Sequence, residues 1–221
     1  MIKISDTEYF SNDRTIRFLN MDCNEFMAGL KDNEFDLNLS DPPYGISINM
    51  NMGRKKGEKK KHAEKKWDTE VPTEELFNNI LRTSTNQIIF GGNYFDLPKT
   101  KSWIFWDKQV PEGVSFADGE LAWTSFDKTL KKITVTYTGF NGLNEGGKIH
   151  PTEKPWLLYR KIINHYTKPT DTILDCFGGS MSNAIACHME RRKLTIIELD
   201  IDYFAASIKR FANYESQLTL F

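Results

Sequence analysis

Cysteine is scarce in this chain: Cys23, Cys176 and Cys187 are the whole complement among 221 residues. They are odd in number and scattered, without C-x-x-C spacing, so no disulfide framework and no metal site are expected, and the pattern suits a reducing, cytoplasmic interior. Long apolar runs are missing too. Lys3, Asp6, Glu8, Asp13 and Arg14 interrupt the N-terminus, where no signal peptide is expected, and no stretch is apolar enough to span a bilayer, so no membrane partner is expected. Charge of one sign is also lacking. The formal net charge is −1, and the chain as a whole does not advertise a polyanion partner. Neither G-x-G-x-x-G nor G-x-x-x-x-G-K-[ST] occurs, which disfavours dinucleotides and nucleoside triphosphates.

What is present is a regular alternation with 39% hydrophobic residues, enough for one sizeable core and too short a chain for two comfortable domains. The patterning predicts strands over 14–21, 35–39, 87–90, 101–106, 172–177 and 194–199, and helices over 24–30, 73–83, 153–166, 182–190 and 202–214. Thr73 is a natural cap for the second helix. Strands separated by helices imply right-handed crossovers and a mostly parallel α/β sheet covered on both faces. The stretch 109–149 breaks the rhythm, with an extra strand over 131–137 among Gly-rich turns, and is expected to be a small insertion on a single domain spanning 1–221. No internal repeat is present.

Two places carry chemistry. The run Phe35 to Leu39 leads into Asp41-Pro42-Pro43-Tyr44, where two consecutive prolines must end a strand because neither can donate to a ladder. Ligands bind at the carboxyl ends of strands in open α/β sheets. A carboxylate, a prolyl carbonyl and an aromatic ring there suit an exocyclic amine on a flat ring, each oxygen accepting one N–H while Tyr44 stacks. The second place is the strand ending in Asp175-Cys176-Phe177, followed by Gly178-Gly179-Ser180 and a helix, an arrangement that lets backbone approach an adenosine-bearing ligand. Glu198 ends the next strand, close to the spacing of about 20 residues at which an acidic side chain accepts from ribose hydroxyls. Shortly after Tyr44, Arg54, Lys55, Lys56, Lys59, Lys60, Lys61, Lys65 and Lys66 crowd a polar segment. It reads as a mobile basic loop over 49–67, suited to phosphate contact.

Taken in order, Asp41-Pro42-Pro43-Tyr44, Gln87 to Phe95, Trp103 to Lys108, His150-Pro151-Thr152-Glu153-Lys154-Pro155 and Asp175 to Ser180 make a set that resembles the S-adenosylmethionine-dependent DNA amino-methyltransferases. The likeness is to their β arrangement, a permuted order in which the catalytic string precedes the cofactor turn, and to the small phage and prophage enzymes, including Glu120 to Asp127. It spans roughly Phe18 to Tyr203. The resemblance implies a Rossmann-like fold with a mostly parallel seven-stranded sheet, one antiparallel strand and helices on both faces. It implies that Asp41, Pro42, Pro43 and Tyr44 hold a target adenine amine in DNA flipped from the duplex. Asp22, His150, Thr152, Lys154, Asp175, Phe177, Gly178, Gly179, Ser180 and Glu198 would line S-adenosylmethionine, and Trp106 or Tyr94 would help receive the base. Relatives are often homodimers. Cytosine-N4 methylation remains open, although Ser is commoner there than Asp41, as do a non-catalytic DNA-binding role and a protein or ribosomal RNA substrate. Cytosine C5 chemistry is disfavoured, since no Pro-Cys pair occurs. Met181 stands where the family often has glycine, and a side chain there could crowd the cofactor or require a different turn, because it penalises positive φ.

Overall fold

The computed structural model describes residues 1–46, 71–113, 117–136, 149 and 152–218. The elements in chain order are β1 (Ile2–Lys3), β2 (Glu8–Phe10), β3 (Ile16–Leu19), α1 (Cys23–Ala28), β4 (Phe35–Ser40), α2 (Glu74–Thr83), β5 (Ser84–Phe90) and β6 (Trp103–Asp107). They continue with β7 (Gly119–Thr124), β8 (Lys131–Thr134), α3 (Trp156–Tyr166), β9 (Thr172–Asp175), α4 (Ser182–Met189), β10 (Lys193–Ile197) and α5 (Ile201–Leu218). Thr73 caps α2 as expected, accepting from the Leu76 N–H at 3.3 Å.

The ten strands among the described residues join one sheet in the order β1-β2-β3-β10-β9-β4-β5-β7-β6-β8. From β3 to β5 the pairings are parallel; β7 runs antiparallel between β5 and β6. Those seven strands, β3 through β6 in the sheet order, are the expected sheet with its single reversed strand. The count exceeds the expectation because the short β1–β2 hairpin extends one edge, and β8 extends the other parallel to β6. The stretch 109–149 is therefore not simply an insertion. Its β7 lies inside the sheet, because Ala122, Trp123 and Thr124 are buried there and pair with Phe90, Ile89 and Ile88.

Side-chain alternation builds two apolar layers. Ile16, Phe18, Leu37, Leu39, Ile88, Phe90, Ile104, Trp106 and Ile196 face one layer, which α3, α4 and α5 cover. Leu19, Ile89, Leu174 and Ile197 face the other, beneath α1 and α2. Cys23, Cys176 and Cys187 are buried free thiols. No helix among the described residues is long and apolar enough to cross a membrane.

Candidate active site

Strands β4 and β9 are neighbours, with Leu37 opposite Ile173 and Asn38 opposite Leu174. Their carboxyl ends lie side by side, and the Ser40 hydroxyl accepts from the Cys176 N–H at 3.1 Å across 136 positions of chain. The two chemical strings are thus brought to one edge of the sheet. Asn183, near the start of α4, clamps them: its Nδ2 donates to Asp175 Oδ2 at 2.9 Å and to the Leu39 carbonyl at 3.3 Å.

Both oxygens of Asp41 are engaged. The Tyr44 hydroxyl donates to Oδ1 at 2.7 Å, and the Lys154 ammonium pairs with Oδ2 at 2.5 Å while donating to the Tyr44 hydroxyl at 3.0 Å. Lys154 also lies 3.3 Å from Glu120 Oε2, and Lys108 pairs with Glu120 Oε1 at 2.6 Å. Four charges, two of each sign, therefore alternate along one line, with Lys154 buried and the other three partly so. Burial pushes the Asp41 carboxyl above its ordinary value against the pull of Lys154. Burial opposes charge on Lys154 as well, but Asp41 and Glu120 outweigh it and hold the ammonium charged. Burial and the adjoining Asp41 carboxylate hold the Tyr44 hydroxyl well above the ordinary tyrosine value, so it stays a donor.

The Tyr44 ring stacks on Tyr94 with centroids 5.2 Å apart and planes 17° from parallel. Gly91 makes this possible. It sits at φ 65°, and a Cβ there would come within 2.3 Å of Tyr44 Cε1. Trp106, expected as a second base-receiving ring, is instead buried in the core with its Nε1 donating to the Val135 carbonyl at 2.9 Å. A strand aromatic whose N–H finds a backbone partner is a packing residue.

The glycine turn is braced by its own side chains and by α5. Asp175 accepts from the Phe177 N–H at 3.0 Å, and its burial raises its carboxyl to about 7. Gly179, at φ 50°, donates to Glu198 Oε2 at 2.7 Å, while Glu198 Oε1 accepts from the Asp200 N–H at 2.8 Å. The Ser207 hydroxyl donates to the Gly179 carbonyl and Arg210 Nη1 to the Ser180 carbonyl. Asp22, exposed beyond the end of β3, caps α1 by accepting from the Asn24 N–H at 2.7 Å. Met181 does adopt positive φ, at 56°, and its side chain is buried in the larger core layer.

Lys154 belongs with Asp41 rather than with this turn. Thr152 is half-buried at a turn just before it. Glu153 links the segment to the turn through Arg210, at 3.1 Å. His150 and the basic residues Arg54, Lys55, Lys56, Lys59, Lys60, Lys61, Lys65 and Lys66 lie outside the described residues. Sequence reasoning missed Asn183, Arg210, Lys108 and the role of Glu120. Only strand register would have found the last pair, since Trp106 pairs with Glu120 and Asp107 with Gly119.

Comparison with known proteins places these observations. A family model described as DNA methylase matches residues 98–209. The putative methylase YubD of Escherichia coli (strain K12) is 27% identical over 217 residues, covering 89% of this chain and 90% of its own length. The crystal structure of the M1.HpyAVI–SAM complex superposes with a TM-score of 0.57 at 21% identity, over 89% of this chain and 98% of the other. PvuII DNA methyltransferase, described as cytosine-N4-specific, superposes with a TM-score of 0.59 at 16% identity, over 91% and 87%.

Proposed function

Because the chain belongs to the DNA methylase family of N6 and N4 amino-methyltransferases, we propose that it transfers a methyl group from S-adenosylmethionine to the exocyclic N6 amine of adenine in DNA. The observation that carries this reading is the adjacency of Asp41 and the Asp175–Ser180 turn at the ends of paired strands. An acceptor for the amine and a cradle for the donor open on the same edge.

The turn's donor chemistry fits that cofactor. An ionised carboxylate accepts from hydroxyls through either oxygen, and Glu198, which accepts from Gly179 and Asp200, stands at the turn where ribose hydroxyls would come. Asp22 has similar capacity at the next strand end, and Phe177 is half-buried beside the turn. Gly178 lets the turn pack closely on β10, since a Cβ there would press Ile196 and the Ile197 carbonyl at 3.1 Å. Thr152 and His150 would meet the methionine end.

When bound, S-adenosylmethionine supplies an electrophilic sulfonium methyl. The chain's own task is positioning, because an adenine amine is a poor nucleophile whose lone pair is delocalised into the ring. Asp41 and the Pro42 carbonyl accept its two hydrogens and draw the nitrogen toward tetrahedral geometry, which localises the lone pair. Tyr44, held rigid between Asp41 and Tyr94, supplies the stacking face for the extruded base. As the N–CH3 bond forms and the S–CH3 bond breaks, the amine must lose a proton. Asp41, whose burial raises its affinity for protons, is the acceptor at hand. Phosphate contacts come, in this reading, from Arg54 to Lys66, and base contacts from the part of 109–149 outside its strands. A homodimer is part of the same reading.

Cytosine N4 presents the same pair of amine hydrogens, and the superposition on the PvuII enzyme favours it as the second reading. Incubating the protein with labelled S-adenosylmethionine and unmethylated DNA, then resolving the digested nucleosides, separates the two. N6-methyldeoxyadenosine is expected; N4-methyldeoxycytidine would move the assignment, and neither product would refute both. Asp41→Ala is expected to abolish transfer while leaving cofactor binding intact, and full activity in that variant would remove the amine-acceptor role.

A further inference from the structure

The line of charge from Asp41 to Lys108 does more than neutralise itself. Lys154 sits where an incoming amine must go: a cationic N–H donor on Asp41 Oδ2, touching the hydroxyl of the stacking tyrosine and lying 4.7 Å from the Phe90 ring centroid. Asp41 Oδ1 is already taken by Tyr44. Each oxygen keeps a further lone pair, but an amine arriving at Oδ2 meets an ammonium already seated there, and the two donors compete for one position. A second partner waits beside it. Glu120 Oε2 is buried and makes no hydrogen bond of ordinary geometry among the described residues, yet it lies 3.3 Å from the same ammonium, within ion-pair distance. Lys108, at 2.6 Å on the other oxygen, pins the Glu120 carboxylate in place.

We propose that Lys154 is a stand-in for the target amine that transfers from Asp41 to Glu120 when the base enters, so that Glu120 and Lys108 act as positioning residues for the methyl-acceptor site. The exchange gives up the Asp41–Lys154 pair and keeps both pairs on Glu120, with Lys154 drawn closer to it. Lys154 keeps a carboxylate partner in Glu120, and Asp41 trades the ammonium for the base's N–H, so neither half-buried carboxylate nor the buried ammonium is left without a partner. The displaced ammonium stays close enough to keep Asp41 ionised and accepting. It also protects Asp41 before substrate arrives, since an uncompensated buried carboxylate takes up a proton and becomes a poor acceptor. This inference rests on Asp41 being the amine acceptor.

A double-mutant cycle on Glu120→Gln and Lys154→Met tests it, using plasmid DNA as substrate and calorimetry of S-adenosylmethionine as the check on fold. Glu120→Gln removes the ammonium's second partner and leaves Lys154 on Asp41. Its kcat/KM is expected to fall about tenfold, mainly through KM for DNA, within the coupling seen between contacting charges. In the Lys154→Met background there is nothing to relocate, so the same substitution is expected to cost little. Lys154→Met by itself should move the acid limb of kcat/KM upward by about one pH unit or more, as removal of a neighbouring opposite charge does. The groups facing Asp41 that bear on this limb are Tyr44, Glu120 and Lys154, with Tyr159 on α3 and Asp175 at the end of β9. If Lys154→Met does not fold, Lys154→Gln takes its place in the cycle. Equal penalties for Glu120→Gln in both backgrounds, or an unmoved acid limb, overturn the relay while leaving the methyltransferase reading standing. A wild-type protein that methylates no DNA base overturns both.

Discussion

Met181 offers a direct measurement of how this chain reconciles a costly backbone with a cofactor turn. The residue holds φ 56° and ψ 32° at the start of α4, and its side chain is 1% exposed in the layer beneath α3 and α5. Left-handed backbone costs an ordinary residue about 1–2 kcal/mol, which glycine would recover. Removing a buried methionine side chain costs about 2–5 kcal/mol through lost burial and the cavity left behind. Packing therefore outweighs strain, and Met181→Gly is expected to lose about 2 kcal/mol net. For a domain of this size that lowers Tm by roughly 4–8 °C. Met181→Ala keeps the strain and loses the packing, so it should fall further, by about 1 kcal/mol or roughly 2–4 °C. Scanning calorimetry of the three proteins reads the order directly. A glycine variant as stable as wild type, or an alanine variant more stable than the glycine one, would refute the reasoning. Calorimetric titration of S-adenosylmethionine tests the other half. A side chain turned into the core does not obstruct the turn, so Met181→Gly should bind the cofactor no more tightly than wild type.

Three further outcomes are expected. Asp175 carries a carboxyl raised to about 7 in the folded chain against about 3.9 when unfolded. Its contribution to stability is thus fully present below about pH 4 and lost as pH rises through about 7; denaturation midpoints between pH 5 and 8 should decline more in wild type than in Asp175→Asn, and parallel curves would show that Asp175 is not the group. Gly91→Ala combines a φ of 65° with a Cβ only 2.3 Å from Tyr44, so it should displace the tyrosine and depress kcat/KM for DNA, and an alanine variant with wild-type kinetics would mean that Tyr44 does not work from this position. Neutralising Lys59, Lys60 and Lys61 together should reduce the salt dependence of DNA binding by about one unit of slope per lost phosphate contact, and an unchanged slope would leave these lysines as a solvated surface.

The elements that depend on local pattern were legible from the chain. Thr73 announced the start of α2 and the paired prolines announced the end of β4, whereas the structure decided that Met181 takes positive φ rather than a different turn. Strand β7 was not legible. It lies in the stretch that breaks the alternation, and nothing local distinguishes Gly119 to Thr124 from a decoration until its neighbours β5 and β6 are in place. Trp106 was left between base pocket and core for a related reason. A ring's chemistry is the same in a base pocket and in a core, and only the Val135 carbonyl above its Nε1 decides between them.

Lys154 draws the same boundary. The ordered motifs, which depend only on residue type and succession, determined the fold class, the two halves of the site and the chemistry that Asp41 and the glycine turn are suited to. Which charges meet was decided by the tertiary structure alone. Lys154 lies just before α3, Glu120 on the reversed strand β7 and Lys108 just beyond β6, and their encounter depends on the register of β6 against β7 and the course of the chain before α3. Coulomb energy falls with distance and rises with burial, and neither quantity is written in the order of residues.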